Sequence, residues 1–296
     1  MDKIKVLITG SNGFIGRNLI SYLEPNFEVL GLQRSPANKS CCMQVDYNDI
    51  SQLTRVFETF QPMVVVHLAS VTSRTRSMDD FSSFIDANVA LTNRLLFIGT
   101  SLVKPPKFIF LSSSEVYGPQ LGKLTEKASL QPVSPYGLSK AIAESLFDFY
   151  YRNYGISAHI IRLFNAFGPG QEKGFFFSDL LASFNENKVF EMTKGEQKRD
   201  FIFIDDVTKA IEMFIYRDNI FECVNLSSGN PLTLNQIIQM FNLKVNGKLK
   251  VNKCIPYRQN EIWEMYGDNE LLLSFGYKLD FSISMGLDLM INNEKV

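Results

Sequence analysis

The chain has 296 residues, 45% hydrophobic and 21% charged, with a net charge of −1. Its length suits one large α/β domain or a domain with a smaller lobe. The near-zero charge gives nucleic acid and anionic membrane surfaces no electrostatic hold, and no run reaches the roughly 18 apolar residues of a spanning helix, so neither partner is expected.

Lys5-Val-Leu-Ile-Thr9 reads as a buried strand. The stretch from Met1 passes straight into Gly10, which reads as a first strand rather than a signal peptide. A helix follows over 14–23, then strands at 27–32 and 42–46, a helix at 50–60 and the β-branched run Met63-Val-Val-Val-His-Leu68. Such a run suits a parallel strand covered on both faces. A long helix is predicted at 84–100, a strand at 107–111, a second long helix at 136–154 and a strand at 157–163. Strands alternating with helices predict right-handed βαβ units in a doubly wound parallel Rossmann sheet. The alternation breaks at Gly168-Pro-Gly170 and Phe175-Phe-Phe177 and returns as one strand-helix unit at 201–216. The expected division is a dinucleotide-binding domain of residues 1–166 plus 199–226, and a smaller mixed α/β substrate lobe of 167–198 plus 227–296. The four cysteines form no CxxC pair and two histidines complete no ligand set, so no metal is expected and the thiols read as reduced and cytoplasmic.

Gly10-x-x-Gly13-x-x-Gly16 differs from the G-x-G-x-x-G spacing, but it follows a buried strand and opens a helix. There Gly10 allows a tight turn, Gly13 lets backbone approach a pyrophosphate and Gly16 lets helix pack on sheet. Phe14 and Ile15 fall in the helix's first turn, where amides face an anion. An acidic residue ending the second strand would bind the adenosine ribose; the sequence offers Leu32-Gln33-Arg34-Ser35 instead. Arg34 and Ser35 suit a 2′-phosphate, which favours NADP(H) with NAD(H) possible. Asp46, ending the third strand, is read either as a partner of the adenine amino group or as a cap or turn residue.

Tyr136-Gly-Leu-Ser-Lys140 puts a phenol and an ammonium on one helix face. The cation is expected to favour the phenolate and draw the tyrosine's pKa down towards a working range for acid/base chemistry. In Ser112-Ser-Ser-Glu-Val-Tyr-Gly118, hydroxyls at a strand's C-terminal end face the ligand crevice. Ser113 is chosen to bond the reacting oxygen, with Ser112 and Ser114 as competitors, since one residue of slip changes the face.

With these motifs, Arg162-Leu-Phe-Asn165 and Arg199-Asp-Phe-Ile-Phe-Ile-Asp-Asp206, nearly the whole chain resembles an extended short-chain dehydrogenase/reductase of the nucleotide-sugar epimerase/dehydratase family. The resemblance implies Tyr136 as acid/base, Lys140 on the nicotinamide ribose, Ser113 polarising the substrate oxygen and Asn88 near the cofactor, with Leu68 and Ala69 at the dinucleotide. It implies Ser114 and Asn165 lining the sugar-diphosphate site and Arg199 and Arg258 gripping the diphosphate. The reaction implied is hydride exchange at C4 of a nucleotide-diphosphate sugar, as 4-ketoreductase or 4-epimerase. The alternative is a 4,6-dehydratase using Glu115 as base, which sits where family dehydratases keep a catalytic glutamate. Sensing of dinucleotide without turnover is the remote alternative, since such proteins lose the tyrosine or lysine and this chain keeps both. The resemblance also implies a homodimer through a four-helix bundle of the two long helices, whose apolar residues (Phe84, Leu91, Leu95, Leu96; Ile142, Leu146, Phe149, Tyr150) would otherwise all pack inside one subunit.

Overall fold

The computed structural model describes residues 3–72, 81–218, 220–258 and 261–293. In chain order the elements are β1 (Lys5–Thr9), α1 (Phe14–Leu23), β2 (Glu28–Gln33), β3 (Cys42–Gln44), α2 (Ile50–Phe60), β4 (Val64–His67), α3 (Phe81–Phe84), a π-helical turn (Ile85–Ala90), α4 (Leu91–Ser101), β5 (Lys107–Ser113), β6 (Lys123–Leu124), α5 (Pro135–Tyr154), β7 (Ala158–Leu163), β8 (Asn165–Phe167) and α6 (Phe176–Asn185). There follow β9 (Phe190–Glu191), β10 (Lys198–Arg199), β11 (Phe201–Phe203), α7 (Ile204–Tyr216), β12 (Phe221–Leu226), β13 (Leu232–Thr233), α8 (Leu234–Lys244), β14 (Val251–Asn252), β15 (Glu264–Gly267), α9 (Glu270–Ser274) and α10 (Ile283–Asn293).

The chain folds into two compact units, Met1–Gly118 with Ser129–Arg162 and Thr208–Val224, and Pro119–Ala128 with Leu163–Val207 and Asn225–Val296. The first holds the seven-stranded doubly wound sheet, in the order β12-β7-β5-β4-β1-β2-β3. Its β1–β2, β1–β4, β2–β3 and β4–β5 pairs run parallel. From β1 the chain winds outward to β2 and β3, then returns to β4 on β1's other side. The β1/β4 boundary is therefore the topological switch point, outside whose carboxyl ends ligands bind in such sheets. All four residues of β4 are buried, as a strand covered on both faces requires.

The second unit holds a four-stranded sheet, β13-β10-β15-β6, and the two-stranded pairs β11–β8 and β14–β9. These pairings move the boundaries drawn from sequence. Residues 119–128 join the second unit because β6 pairs with β15. Residues 163–166 and 199–207 join it because β8 pairs with β11 and β10 lies between β13 and β15. The Phe175-Phe-Phe177 run serves packing inside this unit: Phe177 stacks on Phe167 at 4.3 Å, and Phe176 meets Phe190 edge-on.

The helix predicted at 84–100 is interrupted by the π turn at Ile85–Ala90. Most of its apolar residues serve the first unit's own core: Phe84, Leu91, Leu95, Leu96 and, on α5, Tyr150 are buried there, while Ile142 and Leu146 are half-buried and Phe149 is exposed.

Candidate active site

The first half of the site is the loop from β1 to α1. Gly10 has φ +73°, and a Cβ there would lie 2.7 Å from the Ala69 nitrogen, so this loop and the end of β4 can touch only through a glycine. A Cβ on Gly16 would lie 2.3 Å from the Gly10 carbonyl. At Gly13 it would meet little but that same carbonyl, which leaves the approach to backbone open. Gly13 caps α1 without a side-chain bond, so the first-turn amides of Phe14, Ile15 and Gly16 have no side chain competing at the helix end. A cradle of this shape at a helix N-terminus fits a dinucleotide pyrophosphate.

Two residues that sequence reasoning missed hold the loop. Tyr47 donates its hydroxyl to the Leu32 carbonyl at 2.7 Å and accepts the Gly10 amide at 2.9 Å. Burial pushes that phenol up to about 12, so it stays a neutral donor. Buried Gln33 accepts from Ser11 Oγ at 3.0 Å and donates to the Pro36 carbonyl at 2.8 Å. Ser35 accepts from Asn12 Nδ2 at 3.0 Å, so its hydroxyl is engaged inside the loop, while the Arg34 side chain is exposed. Asp46 is also exposed, and it accepts the Asn48 amide in a turn of its own; Asp49, not Asp46, caps α2.

At the end of β4, the Leu68 amide bonds the Thr9 carbonyl at 3.2 Å and the Ala69 amide bonds Thr9 Oγ1 at 3.2 Å. His67 is sealed between Thr9 and Thr92, and its pKa falls to about 3, through burial first and the Lys140 charge second. It is a neutral structural imidazole. Asn88 projects from the π turn, accepts the Val71 amide at 2.8 Å and donates to the Val71 carbonyl at 3.1 Å and Ser139 Oγ at 2.9 Å. A π turn at a buried polar side chain is a recurrent feature of functional sites. Here it ties the chain after β4 to α5.

The second half lies where β5 ends beside α5. Ser112, Ser113 and Ser114 part company as strand alternation dictates. Ser112 is buried and donates to Glu144 at 2.5 Å, and Ser114 is buried in a 3₁₀ turn. Ser113 is half-buried, accepts the Glu115 amide at 3.2 Å and hydrogen-bonds the Tyr136 phenol. Ser70, which sequence reasoning also missed, bonds the same phenol; a hydroxyl just past the end of a strand flanking the switch point was the available signal.

Lys140 donates to the Leu111 carbonyl at 2.7 Å, and its Nζ lies 5.9 Å from the Tyr136 ring centre. The expectation that Lys140 draws the phenol down is not met in the protein by itself. Burial raises the Tyr136 pKa above its usual range and Glu115 adds to it, against the bonds from Ser113 and Ser70. Burial also lowers the Lys140 pKa to about 7, with Glu144 pulling it back up. The Glu115 carboxylate is held by Ser134, whose Oγ donates to it at 2.6 Å while accepting the Gly137 amide as N-cap of α5.

Three predicted residues belong to the second unit. Asn165 donates to the Asp200 carbonyl at 2.9 Å. Arg199 is engaged by Glu261 at 2.6 Å and by the Ile262 carbonyl at 2.6 Å. Arg258 is exposed; its neighbours Gln259 and Asn260 lie outside the described residues. Among the described residues no cluster of His, Cys, Asp and Glu suits a metal, and no helix is long and apolar enough to cross a membrane.

The model of the NAD dependent epimerase/dehydratase family matches residues 6–226. The UDP-glucuronate 4-epimerase of Thermodesulfobacterium geofontis is 27% identical over 98% of this chain and 95% of its own. The dTDP-glucose 4,6-dehydratase of Salmonella typhimurium is 27% identical over 77% of this chain and 73% of its own. Among solved structures, the UDP-glucuronic acid 4-epimerase of Bacillus cereus, in complex with UDP-glucuronic acid and NAD, matches with a TM-score of 0.90 at 27% identity and covers 99% of both chains.

Proposed function

The chain belongs to the NAD dependent epimerase/dehydratase family, and on that premise we propose that it is a 4-epimerase acting on a nucleotide-diphosphate sugar. In this reading Tyr136 takes the proton of the sugar's C4 hydroxyl and Ser113 bonds the same oxygen. When bound, NAD supplies the hydride acceptor at C4, the reduced form that returns the hydride, and a positive charge opposing the burial that holds the phenol neutral. Lys140 keeps a second cation on the same helix face, and Tyr136 gives the proton back once the hydride has returned to the other face of the carbon.

The observation that carries the reading is a single acid/base phenol, faced by Ser113 and Ser70 near the switch point, beside a carboxylate already committed to Ser134. A dehydratase needs a second group free to remove the C5 proton. NAD, the dinucleotide of the Bacillus cereus complex, is the cofactor of this reading. The NADP preference drawn from Arg34 and Ser35 is given up, since matched structures hold NAD. Without that preference the case for a 4-ketoreductase loses its main support. Arg258 has the exposure to meet a diphosphate, while Arg199 would first have to leave Glu261. The homodimer stays part of this reading, carried by Phe97, Phe149 and Tyr154, each about half exposed on or beside the two long helices.

The test is Tyr136→Phe. Interconversion of C4 epimers should fall by about 10²–10⁴-fold with dinucleotide binding retained, and a variant that still turns over at the native rate overturns the reading. The Salmonella relative favours a second reading, the 4,6-dehydratase with Glu115 as base. Glu115→Gln decides: epimerisation survives it and dehydration does not.

A further inference from the structure

The tyrosine–lysine stripe of α5 continues one turn further than the motif, to Glu144. Positions 136, 140 and 144 share one face of the helix. Glu144 is almost fully buried and saturated with bonds. Arg162, from β7, donates Nε to both carboxylate oxygens at 3.1 and 3.2 Å and Nη2 to Oε2 at 2.7 Å. Its Nη1 reaches Tyr117 Oη at 3.1 Å. Ser112, one residue before the hydroxyl that faces Tyr136, donates to the same carboxylate at 2.5 Å. Helix and strand are thus joined by a ladder: Tyr136 to Ser113, Lys140 to the Leu111 carbonyl, Glu144 to Ser112.

We propose that Glu144, gripped by Arg162, is a positioning residue of the active site: its carboxylate keeps the Lys140 ammonium charged, and its bond to Ser112 fixes the register in which Ser113 meets Tyr136. A buried ion pair is weak evidence of stability by itself, because desolvation offsets the attraction. This pair has a second effect, since a carboxylate one helical turn from a buried lysine opposes the desolvation that lowers it. Among the described residues, Tyr136 on α5 and neutral His67 on β4 also face Lys140, with Glu115 after β5 acting on Tyr136 and Arg162 on β7 paired to Glu144. Among these and Glu144, only the carboxylates favour the ammonium, and Glu115 is bound to Ser134.

The proposal rests on the roles given above to Tyr136 and Lys140, so its test includes a readout that does not need turnover. Lysine labelled with ¹³C at Cε is titrated by NMR in the dinucleotide-bound protein, with Lys140 assigned by Lys140→Arg. Glu144→Gln should move the Lys140 titration about one pH unit lower and draw the alkaline limb of kcat down with it. Should Glu144→Gln not fold, the double variant Glu144→Met/Arg162→Met fills the space without either charge, and it should show a smaller downward move, because the opposing Arg162 charge leaves with the carboxylate. An unmoved Lys140 titration in a folded variant overturns the charge role, whatever the activity. A loss of kcat equal at every pH with that titration unmoved reduces Glu144 to scaffold. A moved titration in a protein with no epimerase activity would uphold the inference and overturn the proposed reaction instead.

Discussion

Tyr136 is a phenol that its surroundings keep protonated, and most of what the site does follows from that balance. Burial and Glu115 work against ionisation; Ser113 and Ser70 work for it. Because a hydroxyl donating to the phenolate lowers its pKa, Ser70→Ala should push the acid limb of kcat to higher pH while leaving KM nearly unchanged. A pH profile of initial rates checks this, and an unmoved limb would remove Ser70 from the site. Tyr136, Lys140 and Ser113, which the structure brings together, were legible in the sequence as a pair on one helix face and a hydroxyl at a strand end. Ser70, Tyr47 and Glu144 were not, since each acts on a partner distant in the chain or lies beyond the recognised motif. The bonds of Ser35 and Gln33 were hidden for a related reason: their partners lie in the glycine loop more than twenty residues earlier.

Among the elements, the π turn and the start of α5 carry the site. Periodicity predicts the helix of 84–100 but not its widened turn, because a π turn keeps the apolar stripe running and only one buried asparagine marks it. Asn88→Ala leaves the Val71 peptide and the Ser139 hydroxyl short of partners and should cost about 1–3 kcal/mol, measured by urea unfolding. The N-cap of α5 is Ser134, which also holds Glu115. Ser134→Ala should therefore cost about 1 kcal/mol as a lost cap and free the Glu115 carboxylate as well. Solvent-hydrogen exchange at the sugar C5 should rise in that variant; if it stays at the native level, the Ser134 bond is not what restrains Glu115. The glycine loop was readable in full, since strand, three glycines and helix follow one another without a gap. The paired strands of the second unit were not, because each is two to four residues long and finds its partner far along the chain.

For the whole molecule, acid stability has a nameable cause. His67 and His159 are buried and neutral, with pKa values lowered by burial to about 3 and about 4. The unfolded chain binds their protons near the ordinary value of about 6.5 and the folded chain does not. Stability contributed by their neutral forms is present above pH 6.5 and is lost as pH falls towards the folded values, by up to about 1.4 kcal/mol per pH unit per histidine. Thermal melts should show Tm dropping across that window, less steeply for His159→Gln. The central claim is that one phenol runs a reversible hydride exchange at C4 with no chemistry at C5. The most direct test is incubation of the NAD-loaded protein with UDP-glucuronic acid and UDP-glucose in D₂O, followed by ¹H NMR of the products. A C4 epimer from at least one of them is expected, with hydrogen retained at both C4 and C5. Deuterium at C5, or loss of the C6 hydroxyl, would contradict it and assign the second step to Glu115.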